Sequence, residues 1–260
     1  MKIVVCVKET PEASAHARID PETLRLDRSG AAGLNPFDTH ALEEGLRIKE
    51  QAGEGEVVAV LMGPPTATDS VRKALAVGAD RAVHVSDDAL AGSDLVATAK
   101  ALAKVLERED ADLVLLGQQG SDSDGAVLWS ALAEALRLPV VSQAASLELA
   151  GGKVKASRQT EYGYDVIEAP LPSVVAVSDA INEPRYPSLK GIMGAKKKPQ
   201  ETVALADLGL SPEDVGEQGS RTEVYGLGEP PARGESRKIE DEGGDAAEKI
   251  LAYLADKKLV

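Results

Sequence analysis

The residues best suited to chemistry lie between Gly117 and Gly125, in a stretch of glycine, glutamine, serine and aspartate. An apolar run at 111–116 precedes this stretch, and a segment with helical spacing follows at 126–136. A loop between a strand and a helix can present backbone N–H groups and the positive end of the helix dipole to a phosphate. The stretch from Gly117 to Gly125 lacks the Gly-Lys-Ser/Thr of a P-loop, and the dinucleotide-binding motif G-x-G-x-x-G does not follow the first strand. These residues alone are compatible both with a site for a nucleotide phosphate and with an ordinary polar turn.

Groups for covalent catalysis or metal binding are scattered along the chain. His16, His40 and His84 stand apart from any arrangement of serine, cysteine or carboxylate that would make a nucleophile and its base. The single cysteine, Cys6, lies in an apolar strand segment and excludes an internal disulfide. We therefore predict no metal site and no covalent catalysis by this chain's own residues. That is typical of a protein whose chemistry belongs to a bound cofactor.

A second unusual stretch, residues 182–198, follows an apolar run at 173–177. Pro184 and Pro187 prevent a strand from continuing, so the chain must leave the sheet as a loop. Lysines at 196–198 suit the C-terminal end of the short helical turn that follows. Three apolar residues fall at i, i+3 and i+4 on one face of that turn: Leu189, Ile192 and Met193. Such a face either packs into its own domain or docks on another protein, and the residues alone leave both open.

The pattern of residues 182–198 resembles a family signature, Asn-Glu-Pro-Arg-Tyr-Pro-Ser-Leu-x-x-Ile-Met-x-Ala-Lys-Lys-Lys. The signature is that of the β subunit of electron transfer flavoproteins, and order and spacing agree across the whole stretch. The resemblance implies that this loop docks on a partner dehydrogenase, with Leu189 as the anchor. The implied docking residues are Tyr186, Leu189, Ile192, Met193, Lys196 and Lys197.

In that family the loop corresponding to residues 117–125 holds an adenine nucleotide. Two motifs of this chain match the family there: Asn35-Pro36-Phe37, and the loop residues Gln119, Asp122 and Asp124. The resemblance thus implies an AMP site, whose residues are Cys6, Asn35, Pro36, Phe37, Asp38, Met62, Gln119, Asp122, Ser123, Asp124, Gly125 and Ala126. This chain departs from the usual Gln and Gly at Val127 and Trp129. Phosphate binding would therefore depend more on backbone groups, with Trp129 on the core face of its helix.

The resemblance implies an electron carrier rather than an enzyme. The chain would pair with an α subunit, bind AMP and cover one side of an FAD held mainly by that subunit. Phe37 would either approach this flavin or pack under its own helix. Electrons would come from acyl-CoA or related dehydrogenases of fatty acid oxidation and pass to a membrane quinone oxidoreductase. Two alternatives are open: a bifurcating member with a second FAD in the nucleotide site, and a stand-alone nucleotide-binding sensor or hydrolase.

Composition limits the kind of core and the class of partner. Hydrophobic residues make up 43% of the 260 residues but aromatic residues only 3%. The core must therefore be Val, Leu, Ala and Ile, which is typical of a parallel sheet under Ala-rich helices. The net charge of −14 argues against nucleic acid or an anionic membrane surface as a partner. No apolar run approaches membrane-spanning length and the start is already strand-like, so we expect no targeting segment, no membrane insertion and, in a bacterium, a cytoplasmic location.

Short apolar runs alternate with segments of helical spacing as far as residue 142. This alternation predicts an α/β fold, an open, mostly parallel twisted sheet with helices on both faces, similar to a Rossmann fold. Glycine-separated alternating segments within 146–168 predict an antiparallel meander added to the sheet. Ligands bind beyond the carboxyl ends of the strands in such sheets. Four segments of this chain are expected at the carboxyl ends of strands: residues 6–9, 35–38, 62–64 and 117–125. Asp38 is predicted as the N-cap of a helix over 39–51.

Two parts are expected along the chain. Residues 1–200 form the α/β nucleotide-binding domain, including the docking loop, and residues 201–260 form a C-terminal arm with a final helix. Residues 211–244 are rich in Gly, Pro and Glu and lack periodicity, so they cannot order themselves. The helix expected at 245–258 has one apolar face: Ala246, Ile250, Leu251 and Leu254. We predict that the arm crosses onto the α subunit and buries this face there. The alternative is a helix that returns to its own sheet.

Overall fold

A computed structural model describes residues 1–12, 18–228, 238, 241 and 243–260. Within these residues the chain forms eleven strands and seven α-helices. The strands are β1 (Lys2–Val7), β2 (Glu9–Pro11), β3 (Ala32–Leu34), β4 (Glu56–Met62), β5 (Arg81–Val85), β6 (Leu113–Gly117), β7 (Val140–Ala150), β8 (Lys153–Thr160), β9 (Gly163–Pro170), β10 (Ser173–Val177) and β11 (Gln200–Val203). The helices are α1 (Pro36–Ala52), α2 (Thr68–Val77), α3 (Leu95–Glu109), α4 (Leu128–Leu136), α5 (Leu189–Ala195), α6 (Gly216–Gly219) and α7 (Ala246–Asp256).

Nine of the strands form one sheet in the order β11-β5-β4-β1-β6-β10-β7-β8-β9. Every neighbouring pair from β11 to β7 is parallel. The pairs β7–β8 and β8–β9 are antiparallel. The predicted α/β fold and its antiparallel meander are therefore confirmed. Strands β2 and β3 form a separate antiparallel pair.

Two apolar layers cover the two faces of the sheet. Along β1, Ile3, Val5 and Val7 enter one layer while Val4 and Cys6 enter the other. A strand buried on both faces reads as a continuous apolar run, which is why the sequence shows it clearly. The first layer contains apolar residues of α1 and α2, and the second contains those of α3 and α4. Because helices cover both faces of the sheet, a ligand is expected to bind beyond the carboxyl ends of its parallel strands.

Two helices begin at residues other than those predicted. Helix α1 starts at Pro36, so the prediction of Asp38 as its N-cap was wrong, and Asn35 holds that position. Proline at the first helical position needs no N–H partner and already has a helical φ, which favours the earlier start. Helix α4 starts at Leu128, later than predicted, because Asp124 and Ala126 have φ values of 47° and 39°. Those values lie outside the right-handed helical region.

The chain divides into two compact units, Met1–Val224 and Tyr225–Val260. Residues 201–224, which the sequence led us to assign to the arm, thus belong to the first unit. Their apolar side chains explain the difference, since four are buried in its second layer: Val203, Leu205, Leu208 and Val215. In the second unit, α7 has no buried residue, and both Ile250 and Leu251 are exposed.

Candidate functional site

The loop that joins β6 to α4, residues 118–127, lies where the strand order reverses. Strands β1 and β6 are neighbours, but β4 and β5 lie on the β1 side while β10 and β7 lie on the β6 side. Connections that leave such a pair run in opposite directions and open a crevice at the carboxyl ends of the strands. The polar loop selected from the sequence therefore occupies the position at which open α/β sheets bind ligands.

Asn35 fixes the shape of this loop with both ends of its side-chain amide. Its Nδ2 donates to the carbonyl of Gln119 at 2.9 Å, and its Oδ1 accepts from the N–H of Ser121 at 3.0 Å. The side chain is almost wholly buried, with 1% of the residue exposed. Because its amide groups are already paired, Asn35 serves as a template for the loop.

Asp38 joins the ends of β1 and β6 to the start of α1. Its carboxylate accepts from the N–H of Lys8 at 2.9 Å and from the N–H of Gly117 at 3.2 Å. Burial raises the pKa of this carboxyl to about 7, against the opposing effect of the hydrogen bonds. A Cβ on Gly117 would lie 2.6 Å from the backbone carbon of Phe37, so only glycine fits there. These contacts hold the two strand ends and the helix at a fixed separation.

Asp122 is buried inside the loop between two cations. Its Oδ1 accepts from Lys8 Nζ at 2.7 Å, and its Oδ2 accepts from the guanidinium of Arg28. Burial alone would raise the pKa of Asp122, but the hydrogen bonds from Lys8 and Arg28 outweigh it and hold the pKa below its usual value. Lys8 and Arg28 therefore hold the Asp122 carboxylate in its charged form inside the loop.

The second half of the loop offers the groups that a phosphate needs. Ser123, Asp124, Gly125 and Ala126 are exposed. Asp124 and Ala126 have positive φ, and within the described ranges no partner is seen for the backbone N–H groups of Gly125, Ala126 and Val127. Unpaired N–H groups in a left-handed turn, at the start of a helix, form a concave anion site. The loop therefore has N–H donors by which an anion can be bound.

Trp129 contributes a contact that the sequence did not reveal. Its indole Nε1–H donates to the carbonyl of Gln118 at 3.1 Å, while its ring packs partly against the second apolar layer. The expected position on the core face of α4 is thus only half of its role, because the same residue also fastens the first part of the loop. The sequence signal for this contact was the position of Trp129 at the start of α4, directly after the loop.

The docking loop presents a cluster of exposed apolar side chains. Leu189 is 82% exposed and Met193 78% exposed, and both belong to α5. Tyr186 is also almost fully exposed, Ile192 is half exposed, and Lys196 and Lys197 are exposed beside them. Large apolar side chains grouped on a surface in this way indicate a site for another protein.

Known proteins similar to this chain match it along its length. A family model described as "Electron transfer flavoprotein domain" matches residues 23–208. The electron transfer flavoprotein subunit beta of Mycobacterium leprae is 38% identical over 264 residues, with 99% of each chain covered. The subunit of that name from Megasphaera elsdenii is 34% identical over 271 residues, with both chains fully covered. The chain belongs to the β-subunit family of electron transfer flavoproteins.

One further relative of this chain has a different name. Subunit CarD of the caffeyl-CoA reductase-Etf complex from Acetobacterium woodii is 38% identical over 263 residues, with 100% of each chain covered. Membership in the family connects the chain with electron transport and with FAD. Among the helices in the described part of the chain, none combines the length and apolar character needed to cross a bilayer.

The remaining residues that the sequence led us to expect at a nucleotide site occupy different environments. Cys6 is buried within β1, and burial, with Asp38 nearby, raises the pKa of its thiol to about 12. It is therefore an uncharged core residue. Pro36 is exposed, while Phe37 and Met62 are half-buried at the carboxyl edge of the sheet. Gln119 is half-buried, and its Nε2 donates to Asp124 Oδ1 at 3.1 Å.

Two of the three histidines, His40 and His84, lie within hydrogen-bond distance of backbone carbonyls. His84 Nε2 lies 3.1 Å from the carbonyl of Gly63, and His40 Nδ1 lies 3.0 Å from the carbonyl of Asn182. His16 lies outside the described residues. Over the residues that the structure describes, no group of three or more His, Cys, Asp or Glu side chains could hold a metal ion.

Proposed function

We propose that this chain is the β subunit of a heterodimeric electron transfer flavoprotein that accepts electrons from acyl-CoA or related dehydrogenases. FAD, held mainly by the α subunit, supplies the redox chemistry when bound, and a quinone oxidoreductase receives the electrons. The observation that carries the proposal is the pair of exposed side chains on α5, Leu189 and Met193. A carrier that serves several dehydrogenases needs a small apolar anchor, because a small contact dissociates quickly.

We assign AMP to the loop between β6 and α4. Gly125, Ala126 and Val127 would donate their backbone N–H groups to its phosphate. Asn35, Asp38 and Asp122 then act by shaping the loop, since their polar side chains are already paired. Phe37, half-buried at the same edge of the sheet, is the side chain that we place closest to the flavin.

A second candidate is a bifurcating electron transfer flavoprotein β subunit, in which the same loop holds a second FAD. The observation that favours it is the full-length similarity to CarD of the caffeyl-CoA reductase-Etf complex. FAD contains an adenosine diphosphate portion, so unpaired N–H groups at the loop would suit its phosphates as well as that of AMP. The two candidates differ in the number of flavins that each heterodimer carries.

Coexpression tests the proposed assembly. Together with an electron transfer flavoprotein α subunit from its own organism, this chain should elute from a size-exclusion column as a yellow heterodimer. Expressed alone, it should carry no flavin, because FAD is held mainly by the partner. A stable monomer or homodimer that binds ATP equally well with and without the α subunit would instead identify a stand-alone nucleotide-binding sensor or hydrolase.

A further inference from the structure

The Lys198 ammonium group binds the C-terminus of α2. Its Nζ donates to the carbonyls of Leu75, Gly78 and Ala79, at 2.9, 3.2 and 2.6 Å. The last carbonyls of a helix have no partner within the helix, and they form the negative end of its dipole. An ammonium group has three protons to donate, so Lys198 is fully engaged at this position.

The two lysines before it behave differently. Lys196 and Lys197 are exposed, and neither side chain has a hydrogen bond or ion pair with the rest of the described chain. The sequence suggested that the three lysines complete the turn that now proves to be α5. The structure shows instead that Lys198 completes α2, a different helix. Because Lys196 and Lys197 are among the expected docking residues, the control for the effect of charge alone is Lys155 in β8, which is also exposed and has no side-chain partner in the described chain.

Helix α5 rests directly on the same end of α2. A Cβ on Gly191 would lie 2.3 Å from the carbonyl oxygen of Ala76, so the two backbones are in close contact there. Ala195, at the end of α5, is buried in the first apolar layer. Leu189 and Met193 are exposed on the same helix. The surface that seats α5 is therefore separate from the surface that would dock.

Before α5, the chain is fastened to α1. Arg185 Nε donates to Glu43 Oε2 at 2.7 Å and its Nη1 donates to Glu50 Oε1 at 2.6 Å. Asn182 Nδ2 donates to the carbonyl of His40 at 3.0 Å. After α5, the carbonyl of Pro199 accepts from the N–H of Ala82, where the chain enters β11. Lys198 is thus the first side-chain link after α5, three residues beyond its end.

We propose that Lys198 is a positioning residue that holds α5 on the end of α2 in the orientation that presents Leu189 and Met193 to a dehydrogenase. The inference rests on the proposed docking function. A helix of seven residues is too short to be stable by itself, so its order depends on what it is attached to. Without the link, a dehydrogenase would have to order α5 as it binds, which weakens association without changing the electron-transfer step.

The test compares Lys198→Met with Lys155→Met in the complete heterodimer with bound FAD. Each variant removes one positive charge and keeps an unbranched side chain. With an acyl-CoA dehydrogenase as electron donor, Lys198→Met should raise the KM for the heterodimer about three- to tenfold and leave kcat unchanged. Lys155→Met should stay within about twofold of the parent. Hydrogen exchange of the amides of residues 189–195 should accelerate in Lys198→Met only.

A second variant reaches the same contact by another route. Gly191→Ala would push α5 away from the Ala76 carbonyl, although alanine favours a helix more than glycine does. It should therefore raise the KM as Lys198→Met does, and this rise cannot come from a weaker intrinsic helix propensity.

A double variant shows whether Lys198 acts through the anchor. Adding Lys198→Met to Leu189→Ala should cost less than about twofold, because an anchor that is already absent cannot be misplaced. A parental KM and parental exchange in both Lys198→Met and Gly191→Ala, or full additivity with Leu189→Ala, would overturn the positioning role alone. Parental electron transfer by Leu189→Ala would overturn the docking function and this inference together.

Discussion

Replacing Leu189 with alanine should reduce electron transfer from a partner dehydrogenase at least about tenfold, which corresponds to roughly 1.4 kcal/mol at a docking hot spot. Leu189 is 82% exposed on a helix whose buried contacts lie elsewhere, so its truncation leaves the fold intact. Heterodimer formation and flavin content should therefore equal those of the parent. The measurement is the rate of flavin reduction by dehydrogenase and its substrate.

Leu95→Ala provides the control for this prediction. Leu95 is also an exposed leucine and lies at the start of α3, distant in sequence from residues 182–198. Its replacement by alanine removes the same side-chain atoms as Leu189→Ala. It should transfer electrons at the parental rate. If Leu189→Ala also keeps the parental rate, Leu189 is not the anchor. An equal loss in both variants would show that the effect is not specific to docking.

A chain that ends at Val224 should keep a cooperative unfolding transition but bind the α subunit at least about a hundredfold more weakly. We place the cut there because Val203 and Val215 are buried in the first unit, so a cut near residue 200 would damage its core. Ile250 and Leu251 are exposed on α7, and burying two such side chains contributes about 3 kcal/mol or more. We propose that the α subunit covers them.

Variants in the full chain separate this effect from the loss of the whole second unit. Ile250→Ser combined with Leu251→Ser should weaken α-subunit binding as the truncation does. Glu248→Ser, a polar replacement on the same helix, should not. Binding titrations of labelled α subunit measure all three variants. A truncated chain without a cooperative transition would show that the second unit completes this chain's own core.

Much of the sheet could be predicted because its parallel strands are buried on both faces. β1, β4, β6 and β10 are apolar runs of five to seven residues, and this short length between helical segments favours strands over buried helices. β11 could not be predicted, since only Val203 of its four residues is buried. An edge strand of that kind has neither alternation nor an apolar run, and its pairing with β5 decides its conformation.

The polar character of the loop between β6 and α4 could be read from its composition, but the positioning of its residues could not be predicted. Asn35 meets Gln119, Asp38 meets Gly117 and Lys8 meets Asp122 only after the sheet brings β1, α1 and β6 together. Sequence spacing carries no information about such contacts. The bond between Lys198 and the end of α2 could not be predicted either. A lysine beside a helical turn suggests capping of that turn, not of a helix elsewhere in the chain.

The nucleotide content of the purified heterodimer tests the central claim most directly. After denaturation, chromatography should recover one FAD and one AMP for each heterodimer, since the loop between β6 and α4 offers its unpaired N–H groups to a single phosphate site. Two FAD and no AMP would place a second flavin in that loop and identify the bifurcating form. One FAD with no second adenine nucleotide would contradict the assignment of a nucleotide to this chain.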